Sequence, residues 1–198
     1  MERNLIIVEG AQGVGKGTIT TALRNRLTCT NLMSLAGLPI GCSAEEVMQD
    51  RKAEMRAVLH TDNVSWILDR SYITDLVYQR MGKKPYTCED FNIYNRQLGK
   101  LLAQLATNYN IYLVLLKATE EEFTKRLVRP NKPVYENMTF AVESSMTQQK
   151  IYEEEFDKLE AFIKTQTKQP FKVLKIDTTS NPEDTISYIM EAINVKEK

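Results

Sequence analysis

The sequence predicts an α/β protein, an open parallel sheet with helices on both faces, and three observations carry that prediction. Short apolar runs of strand length alternate with helix-period segments along the chain. Several of these runs show no in/out alternation, as strands buried on both faces require. The connections between them read as helical, and parallel neighbours need such crossovers. The length of 198 residues suits one domain, or one domain with a small mobile insert.

The elements follow in order. Leu5-Ile6-Ile7-Val8 is the first strand run, and it passes through Glu9 into a glycine-rich turn and a helix with Ile19, Ala22, Leu23 and Leu27 on its apolar face. Leu32 to Ala36 is a weaker run and Val64 to Leu68 a third. Phe91, Tyr94, Leu98, Leu101, Leu102 and Leu105 recur at steps of three or four, the stripe of a core-facing helix. Ile111 to Leu116 is the fourth run. Thr119-Glu120-Glu121-Glu122 has capping-box spacing and starts another helix. Tyr152, Phe156, Leu159 and Ile163 mark a long one. Phe171 to Ile176 is the last run, and Asn181-Pro182-Glu183-Asp184 places an N-cap, a first-turn proline and acids on the helix dipole. Arg129 to Asn137, with two prolines, breaks the rhythm. It is either a surface connection or a mobile flap over a ligand.

Composition narrows the function. Lys and Arg number 26 against 26 Asp and Glu, so no basic excess marks a nucleic-acid polymer as partner. Small phosphorylated ligands need only a few local cations. The three cysteines, Cys29, Cys42 and Cys88, have no CxxC spacing and read as reduced thiols. No run approaches the roughly 20 apolar residues of a membrane span. A soluble, cytoplasmic protein is expected.

The strongest chemical signal is Gly10-Ala11-Gln12-Gly13-Val14-Gly15-Lys16-Gly17-Thr18, set between a strand and a helix as in a P-loop. Glycines let successive N–H groups point at one anion, and the helix N-terminus adds partial positive charge. The candidate ATP-binding residues are therefore Gly10, Gly13, Val14, Gly15, Lys16, Gly17 and Thr18, with Lys16 reaching the β/γ-phosphates. Gly17 stands where the strict pattern has a metal-binding hydroxyl. This variant resembles the adenylate-kinase form, in which the hydroxyl meets the α-phosphate and the metal is held largely through water.

Further features point from nucleotide binding to phosphoryl transfer. Asp69 and Arg70 end a buried strand, the edge where ligands bind in open α/β sheets. Asp69 can hold Mg²⁺ through water or orient the attacking oxygen, and Arg70 can fork onto an acceptor phosphate; a strand-ending ion pair is the plainer alternative. Arg126 and Arg129 share a face at the end of the helix begun at Thr119. Delivered by a flap, they could neutralise charge on the transferring phosphoryl group and exclude water; otherwise they are solvated cations on a helix dipole. Asn131-Lys132-Pro133-Val134 lacks the acid of a guanine-reading NKxD motif.

Val8-Glu9-Gly10, the loop, Asp69-Arg70-Ser71-Tyr72 followed by Val77-Tyr78-Gln79, the arginine-bearing helix, and Ile176-Asp177 with Asn181-Pro182-Glu183 together resemble the thymidylate-kinase and deoxynucleoside-kinase group of P-loop kinases over nearly the whole chain. The resemblance implies a three-layer P-loop NTPase fold, a five-stranded parallel sheet of order 2-3-1-4-5, a small LID near 126–140, ATP as donor and Mg²⁺. It implies Arg70 on the acceptor 5′-phosphate and Tyr78 and Gln79 lining the nucleoside pocket. Tyr72 would cover base or sugar, or else pack in the core. Two departures stand out: Gln12 replaces the acid usual in thymidylate kinases, and Leu35 to Gly41 supplies no arginine.

The leading expectation is transfer of the ATP γ-phosphoryl to a deoxynucleoside monophosphate, thymidylate or another pyrimidine, with Lys16, Asp69, Arg70, Arg126 and Arg129 as the catalytic set. A deoxynucleoside kinase using Asp69 as general base is the alternative, and a nucleotide-binding regulatory protein a third. The stripe over 91–105 could serve a homodimer or the core equally. His60, Trp66 and Glu153-Glu154-Glu155 read as structural or solvated.

Overall fold

The computed structural model describes residues 3–35, 42–83, 88–127, 142–166, 171–178 and 181–193. Their elements are β1 (Asn4–Gly10), α1 (Lys16–Arg26), β2 (Thr30–Ser34), α2 (Ala44–Leu59), β3 (Ser65–Asp69), α3 (Tyr72–Arg80), α4 (Cys88–Leu105), β4 (Asn110–Lys117), α5 (Glu120–Leu127), α6 (Val142–Gln166), β5 (Phe171–Asp177) and α7 (Pro182–Ala192). The five strands form one parallel sheet in the order β2-β3-β1-β4-β5. The LID from residue 128 onward, Arg129, the NKxD comparison segment and most of Leu35 to Gly41 lie outside the described residues, as do the side chains of Phe91 and Tyr94.

The unbroken apolarity of β1 and β4 has its reason in the layers. Leu5, Ile7, Leu68, Leu113 and Leu115 point to one face and pack with α2, α3, α4 and α6. Ile6, Val8, Ile67, Val114 and Leu116 point to the other, covered by α1, α5 and α7. Side chains alternate along a strand, so both sets must be apolar when both faces are covered. Tyr152 and Phe156 are buried on α6, and each such side chain contributes roughly 1.5–3 kcal/mol by leaving water.

Two helix starts follow the expected chemistry. Thr119 Oγ1 accepts from the Glu122 N–H, and Asn181 Oδ1 accepts from the Glu183 N–H. The second strand starts two residues ahead of its apolar run, at Thr30, and ends at Ser34. Helix α2 has a weak apolar pattern because Arg51 occupies a buried position beside Val47, Met48, Met55 and Val58. Its start was nonetheless written as a capping box: Ser43 Oγ accepts from the Glu46 N–H while the Glu46 carboxylate takes the Ser43 N–H. Among the described residues, no helix is long and apolar enough to cross a membrane.

Candidate active site

The register of β1 against β3 sets Val8 beside Asp69, so the loop and the Asp69-Arg70 pair leave the sheet side by side. Gly10 is required by space: a Cβ there would lie 2.5 Å from the Leu116 carbonyl oxygen. Gly15 is the N-cap of α1 in the left-handed region, at φ 100°, and no side chain caps the helix. The first-turn amides of α1 therefore lack a side-chain acceptor, an arrangement that receives an anion.

Lys16 is buried, and its Nζ donates to the carbonyl oxygens of Gly10 and Ala11. Burial, with the Arg70 charge, brings its pKa down to about 8 against the opposing pull of Glu9 and Asp69. A phosphate would supply the full counter-charge that two carbonyls do not.

Two cavities flank the loop and share Gln12, Gly13, Gly15 and Thr18. The first, of about 520 Å³, also takes in Lys16, Gly17, Ser34, Leu35, Asp69 and Arg70. The second, of about 600 Å³, is walled by α5 and the start of α7, with Val14, Arg126, Thr178 and Pro182 among its lining. Both fall in the size range of small-molecule sites.

The structure thus brings Lys16, Gly13, Gly15, Gly17, Thr18, Asp69 and Arg70 to one cavity and Val14 and Arg126 to the other; Gly10 lies behind the loop. Asp69 Oδ2 accepts from Thr20 Oγ1 at 3.3 Å and lies 4.0 Å from where a Cβ on Gly17 would be. Arg126 donates to Val14 O at 2.8 Å, to Thr178 Oγ1 at 2.9 Å and to Thr178 O, and pairs with Glu122 at 3.3 Å. Three of the expected pocket residues stand elsewhere. Tyr72 is 4% exposed within the core, and its hydroxyl has no partner among the described residues. Tyr78 and Gln79 line neither loop cavity, and Lys83 Nζ sits 5.7 Å from the Tyr78 ring centre. The α3 backbone explains this: Arg70 and Ser71 leave the strand end at the cavity, whereas Tyr72 begins a helix whose first two turns are buried.

The geometry adds residues that sequence reasoning passed over. Glu9, 0% exposed, accepts from the Ser71 N–H, the Ser71 hydroxyl and Thr74 Oγ1. Arg51 reaches from α2 to Asp75 of α3 at 2.7 Å and to Glu54 at 2.9 Å, an ion pair with both Arg51 and Asp75 buried. Ser145 and Gln148 of α6 hold Gln12 by its carbonyl and its N–H. Ser71 as N-cap of α3 was the legible signal, since a serine before an apolar turn is a helix start; nothing local marked its partners.

No family model and no curated protein matches the sequence. Solved structures do. The YorR protein of Bacillus subtilis, in complex with phosphorylated GDP, superposes with a TM-score of 0.62 at 17% identity, over 96% of each chain. Deoxyadenosine kinase from M. mycoides with bound dATP gives 0.59 at 18% identity, over 96% of this chain and 100% of that one. Thymidylate kinase from Candida albicans gives 0.60 at 15% identity, over 98% and 92%. The chain has the fold of the P-loop kinases. In that fold the loop side of the sheet, at the strand carboxyl ends, is the face these cavities occupy.

Proposed function

We propose that the chain transfers the γ-phosphoryl group of ATP to the 5′-phosphate of a deoxynucleoside monophosphate, thymidylate or another pyrimidine. The single observation that carries this is one loop with a cavity on each side, a lysine in its grip and an arginine across the first cavity. The donor nucleoside fits the side of Arg126 and Thr178, and its phosphates run along Gly13 to Thr18. The acceptor phosphate fits beside Arg70, whose fork matches a phosphate.

Each residue then has a task. The loop amides and Lys16 hold the β- and γ-phosphates and stabilise charge as it develops on them. Arg70 places the acceptor oxygen for in-line attack, which supplies much of the barrier reduction by positioning. Arg126 fixes the loop to the end of β5 beside the donor, and Arg129, outside the described residues, is proposed to join it at the transferring group. Mg²⁺ fits as a passenger of the nucleotide: no cluster of three ligating side chains stands among the described residues, while Asp69 offers one carboxylate beside the loop. Such an ion is held by one carboxylate, water and phosphate, and it neutralises phosphate charge. Asp69 lines the same cavity as Arg70, which also suits a free nucleoside whose 5′-hydroxyl it would deprotonate.

ADP release from ATP, measured against a panel of deoxynucleosides and their monophosphates, tests both readings. Turnover is expected with a pyrimidine monophosphate. Faster turnover of free nucleosides selects the second reading, and no turnover with any member removes both.

A further inference from the structure

Glu9 is the side chain that ends the apolar part of β1, and the reaction proposed above gives it no contact with either substrate. Its carboxylate is fully engaged all the same. Oε1 accepts from the Ser71 N–H at 2.6 Å and from the Ser71 hydroxyl at 2.7 Å. Oε2 accepts from Thr74 Oγ1 at 2.8 Å, and that hydroxyl lies 2.9 Å from the Tyr152 hydroxyl of α6. Ser71 Oγ in turn accepts from the Ile73 N–H at 3.3 Å, so the group that caps α3 is itself anchored to β1.

These bonds surround an unfavourable backbone. Arg70 has φ +78°, a left-handed conformation that a residue with a Cβ rarely adopts. Its N–H donates to Val8 O at 3.0 Å, and the next N–H goes to Glu9. The turn is thus fixed from both of its amides by two consecutive residues of β1. A carboxyl group serves here because its two oxygens can take three donors, and when ionised it makes hydrogen bonds about twice as strong as neutral ones.

We infer that Glu9 is a positioning residue that ties the phosphate-loop strand to the residue after Arg70, and so holds that guanidinium across the acceptor side of the cavity. The inference rests on the reading of Arg70 as the acceptor's clamp. It makes the spacing between donor and acceptor sites a property of β1, since Lys16 and Glu9 belong to the same strand–loop unit.

Three variants test it. Glu9→Gln keeps an oxygen for Ser71 and offers N–H to Thr74 Oγ1; Glu9→Ala keeps neither; Thr74→Val cuts one arm alone and preserves shape. For each, KM and kcat are measured for the acceptor, together with the affinity for a non-hydrolysable ATP analogue. Glu9→Ala is expected to raise the acceptor KM at least tenfold and to change analogue affinity less than threefold, with Glu9→Gln recovering most of the loss and Thr74→Val intermediate. An unchanged acceptor KM, or equal weakening of both ligands, overturns the inference. Should Glu9→Ala not fold, the other two carry the comparison. Hydrogen exchange separates this tie from the proposed reaction: with Thr74→Val, which leaves both Ser71 bonds in place, as the control that stays within threefold, the Ser71 amide should exchange at least tenfold faster in Glu9→Ala even if the wild-type chain turns over no acceptor. Unchanged exchange there overturns the tie whatever the catalytic result.

Discussion

The two sides of the loop are built differently. On the donor side, Arg126 donates mainly to backbone, the carbonyls of Val14 and Thr178, with the Thr178 hydroxyl and the partly exposed Glu122 carboxylate beside them. On the acceptor side, buried carboxylates do the holding, Glu9 on Ser71 and Thr74, and Asp75 on Arg51. Backbone carbonyls accept whatever donor is near and tolerate sequence change. A buried carboxylate must have its partners or lose several kcal/mol. The acceptor wall is therefore the more specified half and the more fragile one.

The largest effect that can break this comparison is in the loop that both sides share. Lys16→Met should lower kcat/KM by about 10³-fold, roughly 4 kcal/mol, with both substrates present; a loss under tenfold would show that the lysine does not meet the phosphates.

The next effect should fall on stability and on the acceptor side alone. Asp75→Ala removes the buried carboxylate that pairs with the Arg51 guanidinium, which is expected to cost ~3 kcal/mol in chemical denaturation. Affinity for an ATP analogue should stay within threefold. If the analogue is lost as well, the two sides are not separable.

Acidity sharpens the same contrast. Burial pushes the Glu9 carboxyl up to about 7, against the opposing bonds from Ser71 and Thr74 and the charge of Lys16. Between its ordinary value of 4.5 and about 7, the folded chain keeps a proton that the unfolded chain has released. Stability from this group thus falls as pH rises through that window, by ~3 kcal/mol in all. Denaturation at pH 5 and pH 8 should show Glu9→Gln gaining on the wild type at the higher pH. Parallel curves for the two proteins would contradict it.

The smallest effect belongs to Gly17. Its backbone is not in the left-handed region, and among the described residues a Cβ there meets only Asp69 Oδ2 at 4.0 Å. Gly17→Ser should change stability by less than about 0.5 kcal/mol and place a hydroxyl toward Asp69. The expected readout is a lower Mg²⁺ concentration for half-maximal activity; an unchanged requirement would mean that the metal sits elsewhere.

How much of this was legible follows from the same contrast. The loop could be read because its residues are consecutive and each glycine answers a local backbone demand. The sheet could be read because burial on both faces removes the polar alternation from Ile6 to Val8 and from Ile111 to Leu116. Asp69 and Arg70 were legible as polar residues closing an apolar run. The Glu9–Ser71 and Arg51–Asp75 contacts were not, since they join residues 62 and 24 positions apart. Position alone left Tyr72 two roles, a cover for base or sugar and core packing; it follows the strand as expected, and the first turn of α3 packs it into the core.

Helix α6 has one further consequence. Ser145, Gln148, Tyr152 and Glu155 lie along one of its faces, and they reach Gln12, Thr74 and Arg80 in turn. Ten residues of helix measure about 15 Å, so this polar line works as a ruler laid across three separate parts of the molecule. A single residue inserted between Gln148 and Tyr152 would turn the two halves of that ruler by about 100° and break its agreement at one end.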